Sequence, residues 1–88
     1  MYQPTQELSL HNAVDAAQAG MAAIVAGITE FDLSSLKTVD SAAVVVMLNW
    51  QREAGKLGKT IAFHGVPSSI ASLLALYGVS ELLHIAQA

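Results

Sequence analysis

Short strand-like runs alternate along this chain with longer segments of helical periodicity, and a glycine follows each helical segment. Gln6-Glu-Leu-Ser-Leu10 alternates polar and apolar, the pattern of a half-buried strand. Asn12 is placed to cap a helix, and Asp15 suits the positive end of its dipole. Val14, Ala17, Met21, Ile24 and Val25 carry helical spacing towards Ala26, and Gly27 is placed to end the helix. Gly20, inside it, is expected to cost about 1 kcal/mol relative to Ala. Ile28–Leu33 reads as a second strand and Ser34–Val39 as a polar loop. Asp40 caps a second helix predicted to reach about Leu57, with Gly58 beyond it. Thr60–Val66 is a third strand, and Pro67 suits the first turn of a helix over Ser68–Tyr77 that Gly78 closes. Val79–Ile85 is compatible with a short strand or a last helical turn. The order β-α-β-α-β-α predicts an α/β fold with a small mixed sheet covered by helices. Met1–Thr5, interrupted by Pro4, is expected to be a loose start.

Eighty-eight residues hold one core, so a single domain over 1–88 is expected. The chain is 53% hydrophobic and only 12% charged, more apolar material than a small domain can cover. Uncovered apolar patches mark interaction sites. The net charge is −3, and the basic residues are Lys37, Arg52, Lys56 and Lys59, which argues against a phosphate-binding footprint and against nucleic acid as a partner. With no cysteine, thiolate chemistry is excluded. The longest apolar run, Ala42–Leu48, is far short of the roughly 20 residues that span a bilayer. No basic residue precedes Lys37, so a secretory signal is not expected, and a cytoplasmic address follows.

The second helix carries the functional signal. At about 100° per residue, Ala43, Val46, Met47, Trp50, Ala54 and Leu57 share one arc, the expected core face. Asn49, Arg52, Glu53 and Lys56 share the opposite arc. Val45 falls within that polar arc, Ser41 lies one turn earlier on nearly the same line, and Leu48 sits at the margin. An apolar centre with polar neighbours suits a docking surface, although single exposed valines are also ordinary. Trp50 and Tyr77 are expected in the core, with an exposed Tyr77 hydroxyl as the weaker reading.

The stretch Phe31-Asp-Leu-Ser-Ser-Leu-Lys-Thr-Val-Asp-Ser-Ala-Ala-Val-Val-Val-Met-Leu48 resembles the central signature of STAS domains. Downstream, Asn49-Trp-Gln-Arg-Glu-Ala54, Phe63-His-Gly-Val66, Ile70-Ala-Ser-Leu73 and Leu76-Tyr-Gly-Val-Ser-Glu-Leu-Leu83 are similar to the MlaB-like branch of that family, small STAS subunits of phospholipid-transport ABC complexes. The resemblance spans about Leu8 to Leu83. It implies a STAS fold and a non-catalytic accessory subunit bound to the ATPase of such a complex, cytoplasmic and peripheral to the inner membrane through that partner. The partner-binding residues implied are Asp40, Ser41, Val45, Leu48 and Arg52. The alternative within the family is an anti-sigma-factor-antagonist-like switch in which Ser41 is phosphorylated. Two departures follow. Only about ten residues precede Asn12, so the first edge strand is expected to be missing or vestigial, leaving an edge open to pairing and to a homodimer. Ala42-Ala43-Val44 replaces the Gly that commonly follows the Ser in antagonists, which disfavours the switch.

Other chemistry is not expected. His11, His64 and His84 lack metal-ligand spacing, so no metal and no cofactor is predicted. Gly55-Lys-Leu-Gly-Lys59 lies at a helix end and lacks phosphate-loop spacing. Ser41 has no flanking glycines of a nucleophile elbow, so the chain is not read as an enzyme. Asp32-Leu-Ser-Ser35 is expected to be a strand-end turn.

Overall fold

A computed structural model describes residues 1–86. The chain runs β1 (Glu7–Leu8), α1 (Ala13–Val25), β2 (Glu30–Asp32), β3 (Thr38–Val39), α2 (Ala42–Lys56), β4 (Ala62–His64), α3 (Ser68–Leu76), a 3-10 turn (Ser80–Leu82) and β5 (His84–Ile85). The α/β architecture is the expected one, with two refinements. The segment after α3 holds both a helical turn and a strand, so β5 closes the order. The pairings among the described residues are all parallel rather than mixed: β1 with β3, and a second sheet in the order β2-β4-β5. A helix separates the two members of every pair along the chain, and helical crossovers deliver parallel strands where hairpins would deliver antiparallel ones.

Two short elements lie where loops were expected. The polar loop Ser34–Val39 contains β3, and the Lys37 and Thr38 amides both donate to the Gln6 carbonyl at 2.7 and 3.1 Å. Two residues are too few for alternation to register. The start of the chain is not loose either. The Tyr2 amide donates to the Glu30 carbonyl at 2.9 Å, and the Asp32 amide donates to the Tyr2 carbonyl at 2.8 Å. Tyr2 thus makes a parallel bridge opposite Phe31 and occupies the edge of β2 that was expected to lie open. Pro4, next along this segment, is buried.

The core assembles around α2. Ala43, Val46, Met47, Trp50 and Ala54 are buried as the wheel predicts, and Val44 joins them. Leu57 does not: α2 ends at Lys56, and Leu57, in the cap that follows, is 48% exposed. Four of the five aromatic residues form one cluster. Phe31 lies 4.8 Å from Tyr2, 5.1 Å from Trp50 and 5.9 Å from Phe63, centroid to centroid. The two edge-to-face pairs, Phe31 with Trp50 and with Phe63, add about 0.5–1.5 kcal/mol each beyond burial. The half-buried Tyr2 phenol is pushed above its ordinary pKa by desolvation. Tyr77, the fifth aromatic, is 51% exposed at the end of α3, where Gly78 at φ +69° turns the chain away. Its expected place in the core is therefore corrected.

The contact of α1 with α2 rests on the glycine that lowers helix propensity. The buried stripe of α1 is Ala16, Gly20, Ala23 and Ile24, whereas Val14 and Val25 face outward. A Cβ on Gly20 would lie 2.2 Å from Trp50 Nε1 and 2.3 Å from Cε2. The indole N–H donates to the Ala17 carbonyl at 3.2 Å, tying the two helices together. Lys59 Nζ donates to the Ile24 carbonyl at 3.1 Å, a cation at the negative end of α1. The end itself is closed by Gly27 at φ +99°, as predicted. Asn12 precedes α1 but does not cap it. Its side chain accepts from the Ser9 amide and donates to the Glu7 carbonyl, fixing the loop before the helix instead.

Gly20→Ala is expected to destabilise the protein by about 2 kcal/mol, since overpacking against a rigid buried indole outweighs the ~1 kcal/mol gain in helix propensity. Chemical denaturation measures this. The loss should shrink in a Trp50→Leu background, and equal losses in both backgrounds would rule out the Gly20–Trp50 contact as the cause.

Candidate functional site

The solvent-facing side of α2 carries an apolar surface flanked by two shallow grooves. Val45, 66% exposed, and the half-buried Leu48 form the ridge between them. On one side, a groove of about 540 Å³ is bounded by α1 and α2, with Ala13, Val14 and Ala17 opposite Val45, Val46 and Leu48, and with Arg52 and Leu82 at its margin. On the other side, a groove of about 600 Å³ is lined by Leu10, Ser41, Val44, Val45, Tyr77 and Val79, with Asp40 at its margin. Leu10, Val14 and Leu82 are 79%, 71% and 62% exposed. Large apolar side chains from four separate segments thus meet on one surface.

The five residues singled out from the sequence share this face, each lining one groove or both. Their surroundings differ. Asp40 is exposed, yet its two oxygens are engaged: Oδ1 accepts from the Ala42 amide at 2.8 Å and Oδ2 from the Leu10 amide at 3.1 Å. Its carboxylate therefore satisfies an amide at the helix start and fastens the loop bearing Leu10. Ser41, not Asp40, is the residue at the boundary of α2. Among the described residues, no hydrogen bond caps the helix through the Ser41 side chain, which lies exposed. The Ala43 and Val44 amides donate to the carbonyls of Asp40 and Ser41, so the first turn closes on itself. Arg52 Nη2 donates to Asn49 Oδ1 at 2.8 Å, which steadies the guanidinium beside the first groove.

The residues missed were Leu10, Val14, Val79 and Leu82, while Tyr77 entered only as the weaker reading. Helical spacing alone included Val14 with Ala17, Met21, Ile24 and Val25 and did not say which of them is buried. The actual stripe is made of small residues, which the close approach to Trp50 demands. The alternation over Gln6–Leu10 puts Leu10 on the same face as the buried Leu8, but β1 ends at Leu8, and Leu10 lies 79% exposed in a loop tethered to Asp40, 30 positions away.

Other polar groups are committed elsewhere. Asp32 Oδ1 accepts from the Ser34 amide at 3.0 Å, the strand-end turn expected for this segment. Hydrogen bonds from the Ser34 amide and hydroxyl hold its carboxyl below the usual range, with smaller help from His64 and Gln3. His64 Nε2 lies 2.9 Å from Glu30 Oε1 across the β2–β4 pair. No group of three or more metal-ligating side chains converges among the described residues. No helix there is long and apolar enough to cross a membrane. The surface offers contact area, a free hydroxyl and one cation.

A family model described as "Mlab, STAS domain" matches residues 5–84. The Intermembrane phospholipid transport system binding protein MlaB of Haemophilus influenzae is 35% identical over 54 residues, 61% of this chain and 51% of that protein. The match therefore reaches only about half of that relative's length. Among solved structures, a Thermotoga maritima protein described as an anti-sigma factor antagonist superposes with a TM-score of 0.74 at 16% identity, covering 98% of this chain and 74% of the other. The anti-sigma factor antagonist SpoIIAA in its unphosphorylated form gives a TM-score of 0.67 at 17% identity, covering 98% and 76%. At such identities these two establish the fold alone.

Asp40→Ala is expected to lower stability by about 1 kcal/mol, the usual loss of a helix-start acceptor, and to raise hydrogen exchange at both the Leu10 and Ala42 amides. Asp40→Asn should retain part of that protection. Unchanged exchange at Leu10 in the alanine variant would show that Asp40 does not hold the loop.

Proposed function

The chain belongs to the MlaB-type STAS domain family, and from that premise we propose that it is a non-catalytic accessory subunit of a phospholipid-transport ABC complex, docking on the ATPase through the exposed face of α2. The observation that carries the reading is the convergence of Leu10, Val14, Val45, Tyr77 and Leu82 on one uncovered surface beside Ser41. Contiguous apolar surface of this kind on a small domain is a mark of an interface. Ser41 would meet the partner as a small hydroxyl at the helix start, with Val45 and Leu48 as the apolar centre and Arg52 towards the rim. Such a layout, apolar at the middle and polar at the margin, is that of a protein–protein contact. Attachment to the membrane would then come through the complex, the domain being one unit over 1–88. Tyr2 occupying the edge of β2 removes the motive for a homodimer built on that edge.

In a pull-down with the ABC ATPase of the same organism, Ser41→Arg and Val45→Asp should each weaken association at least tenfold, about 1.4 kcal/mol. Their circular dichroism and unfolding midpoints should match the wild type, since neither side chain serves the core. Undiminished binding by both variants would remove this face from the interface.

A second reading draws on the exposed, uncapping hydroxyl of Ser41. A phosphate there would add about −1.5 to −2 of charge beside Asp40 and among apolar side chains, and so would expel a partner rather than recruit one. Mass spectrometry of protein from its native cells would show phosphoserine at position 41. Its absence in every growth phase would dismiss the switch.

A further inference from the structure

The groove between α1 and α2 has a definite shape and charge, and these identify what kind of segment it takes. This inference rests on the docking reading above and goes further by naming the partner's chemistry. The α1 side of the groove is built from the small residues Ala13 and Ala17 with the exposed Val14 beside them, an apolar wall. The α2 side is the ridge of Val45 and Leu48, with Arg52 one turn beyond. Val45, Leu48 and Arg52 are spaced i, i+3, i+7, so the wall runs about 10 Å, or two helical turns. An apolar trough of that length between two packed helices suits a third helix whose side chains interleave with the ridge.

The charges are unequal at the two margins. Among the described lining residues Asp40 is the one anion, and both its oxygens already accept backbone amides. Arg52 is the one cation. It is oriented by Asn49 at 2.8 Å, and its nearest carboxylate, Glu53, is 3.9 Å away and shared with Lys56 at 3.3 Å. A guanidinium has five N–H donors, so most remain for a ligand. Asp40 lines the other groove, so among the described residues the one charged side chain lining the α1–α2 groove is Arg52, a cation on a chain whose net charge is −3.

We infer that the groove between α1 and α2 seats a two-turn amphipathic helix of the ATPase subunit, with apolar residues three or four apart on Val45 and Leu48 and an Asp or Glu one turn further on, paired with Arg52. Arg52 then sets orientation and selectivity, while the apolar ridge supplies most of the affinity.

The test is the affinity for the purified ATPase subunit of the same organism at low and high salt, for wild type, Arg52→Gln, Arg52→Glu and Val45→Asp. Wild-type affinity is expected to fall with salt, and Arg52→Gln to bind about threefold more weakly with that dependence flattened. Arg52→Glu should lose about tenfold, and an Asp/Glu→Lys change on one ATPase surface helix should restore its binding. If Val45→Asp abolishes association while both Arg52 variants bind like wild type at every salt, the acidic-helix inference is overturned and the docking face stands. Should Val45→Asp also bind normally, both fail together.

Discussion

The indole of Trp50 fills a hollow that exists only because position 20 has no side chain, and the rest of the molecule is arranged around that contact. The ring packs against the backbone of α1 at Gly20, and the indole N–H finds its acceptor at Ala17. From the other side Phe31 and Phe63 pack against the same ring, which links the helix pair to β2 and β4. Tyr2 then covers Phe31 from the sheet edge. One side chain thereby joins two helices, two strands and the start of the chain. Such centrality is what a small domain needs, since its modest interior leaves few independent contacts to lose.

The same contact determines what faces outward. An α-helix that buries Ala43, Met47, Trp50 and Ala54 must present Ser41, Val45, Leu48 and Arg52 to the opposite or flanking side. Pressing α1 close through Ala16, Gly20 and Ala23 turns Val14 outward beside Val45. Asp40 performs the matching task at the other margin by drawing in the loop that carries Leu10. The exposed apolar surface is a geometric consequence of how the core closes. Its composition, however, is not dictated by the core.

Much of this was legible in the sequence, and the exceptions have physical causes. The buried arc of α2 followed from periodicity because a 15-residue amphipathic helix averages over local irregularities. The STAS fold was readable from the run between Phe31 and Leu48 together with the segments after it. Two-residue strands such as β1 and β3, and the lone bridge of Tyr2, are held by pairing with distant backbone and leave no periodic trace. The buried stripe of α1 was not legible for a different reason. Periodicity scores hydrophobicity, whereas the partner of α1 is a large ring that selects for small size, so Ala16, Gly20 and Ala23 are buried while Val14 and Val25 face outward. The candidate site was legible where it lies on α2. It was illegible at Leu10 and Leu82, whose membership depends on tertiary approach alone.

The identity of the residues on that outer face is what argues for binding. The buried core is closed beneath it: Met47, Trp50 and Ile24 have no solvent exposure at all. Replacing Leu10, Val14, Val45 or Leu82 by polar residues would remove little buried area and so cost little stability, while improving solubility. Single exposed apolar residues are common enough to carry no meaning. Here four, drawn from the loop after β1, from α1, from α2 and from the 3-10 turn, converge on adjoining grooves that share one ridge. Stability gives no reason for that convergence, because each residue sits outside the cluster that holds the fold. An apolar surface that does not serve the core is what the proposed docking requires, and in this molecule the helix that organises the interior offers it on its opposite side.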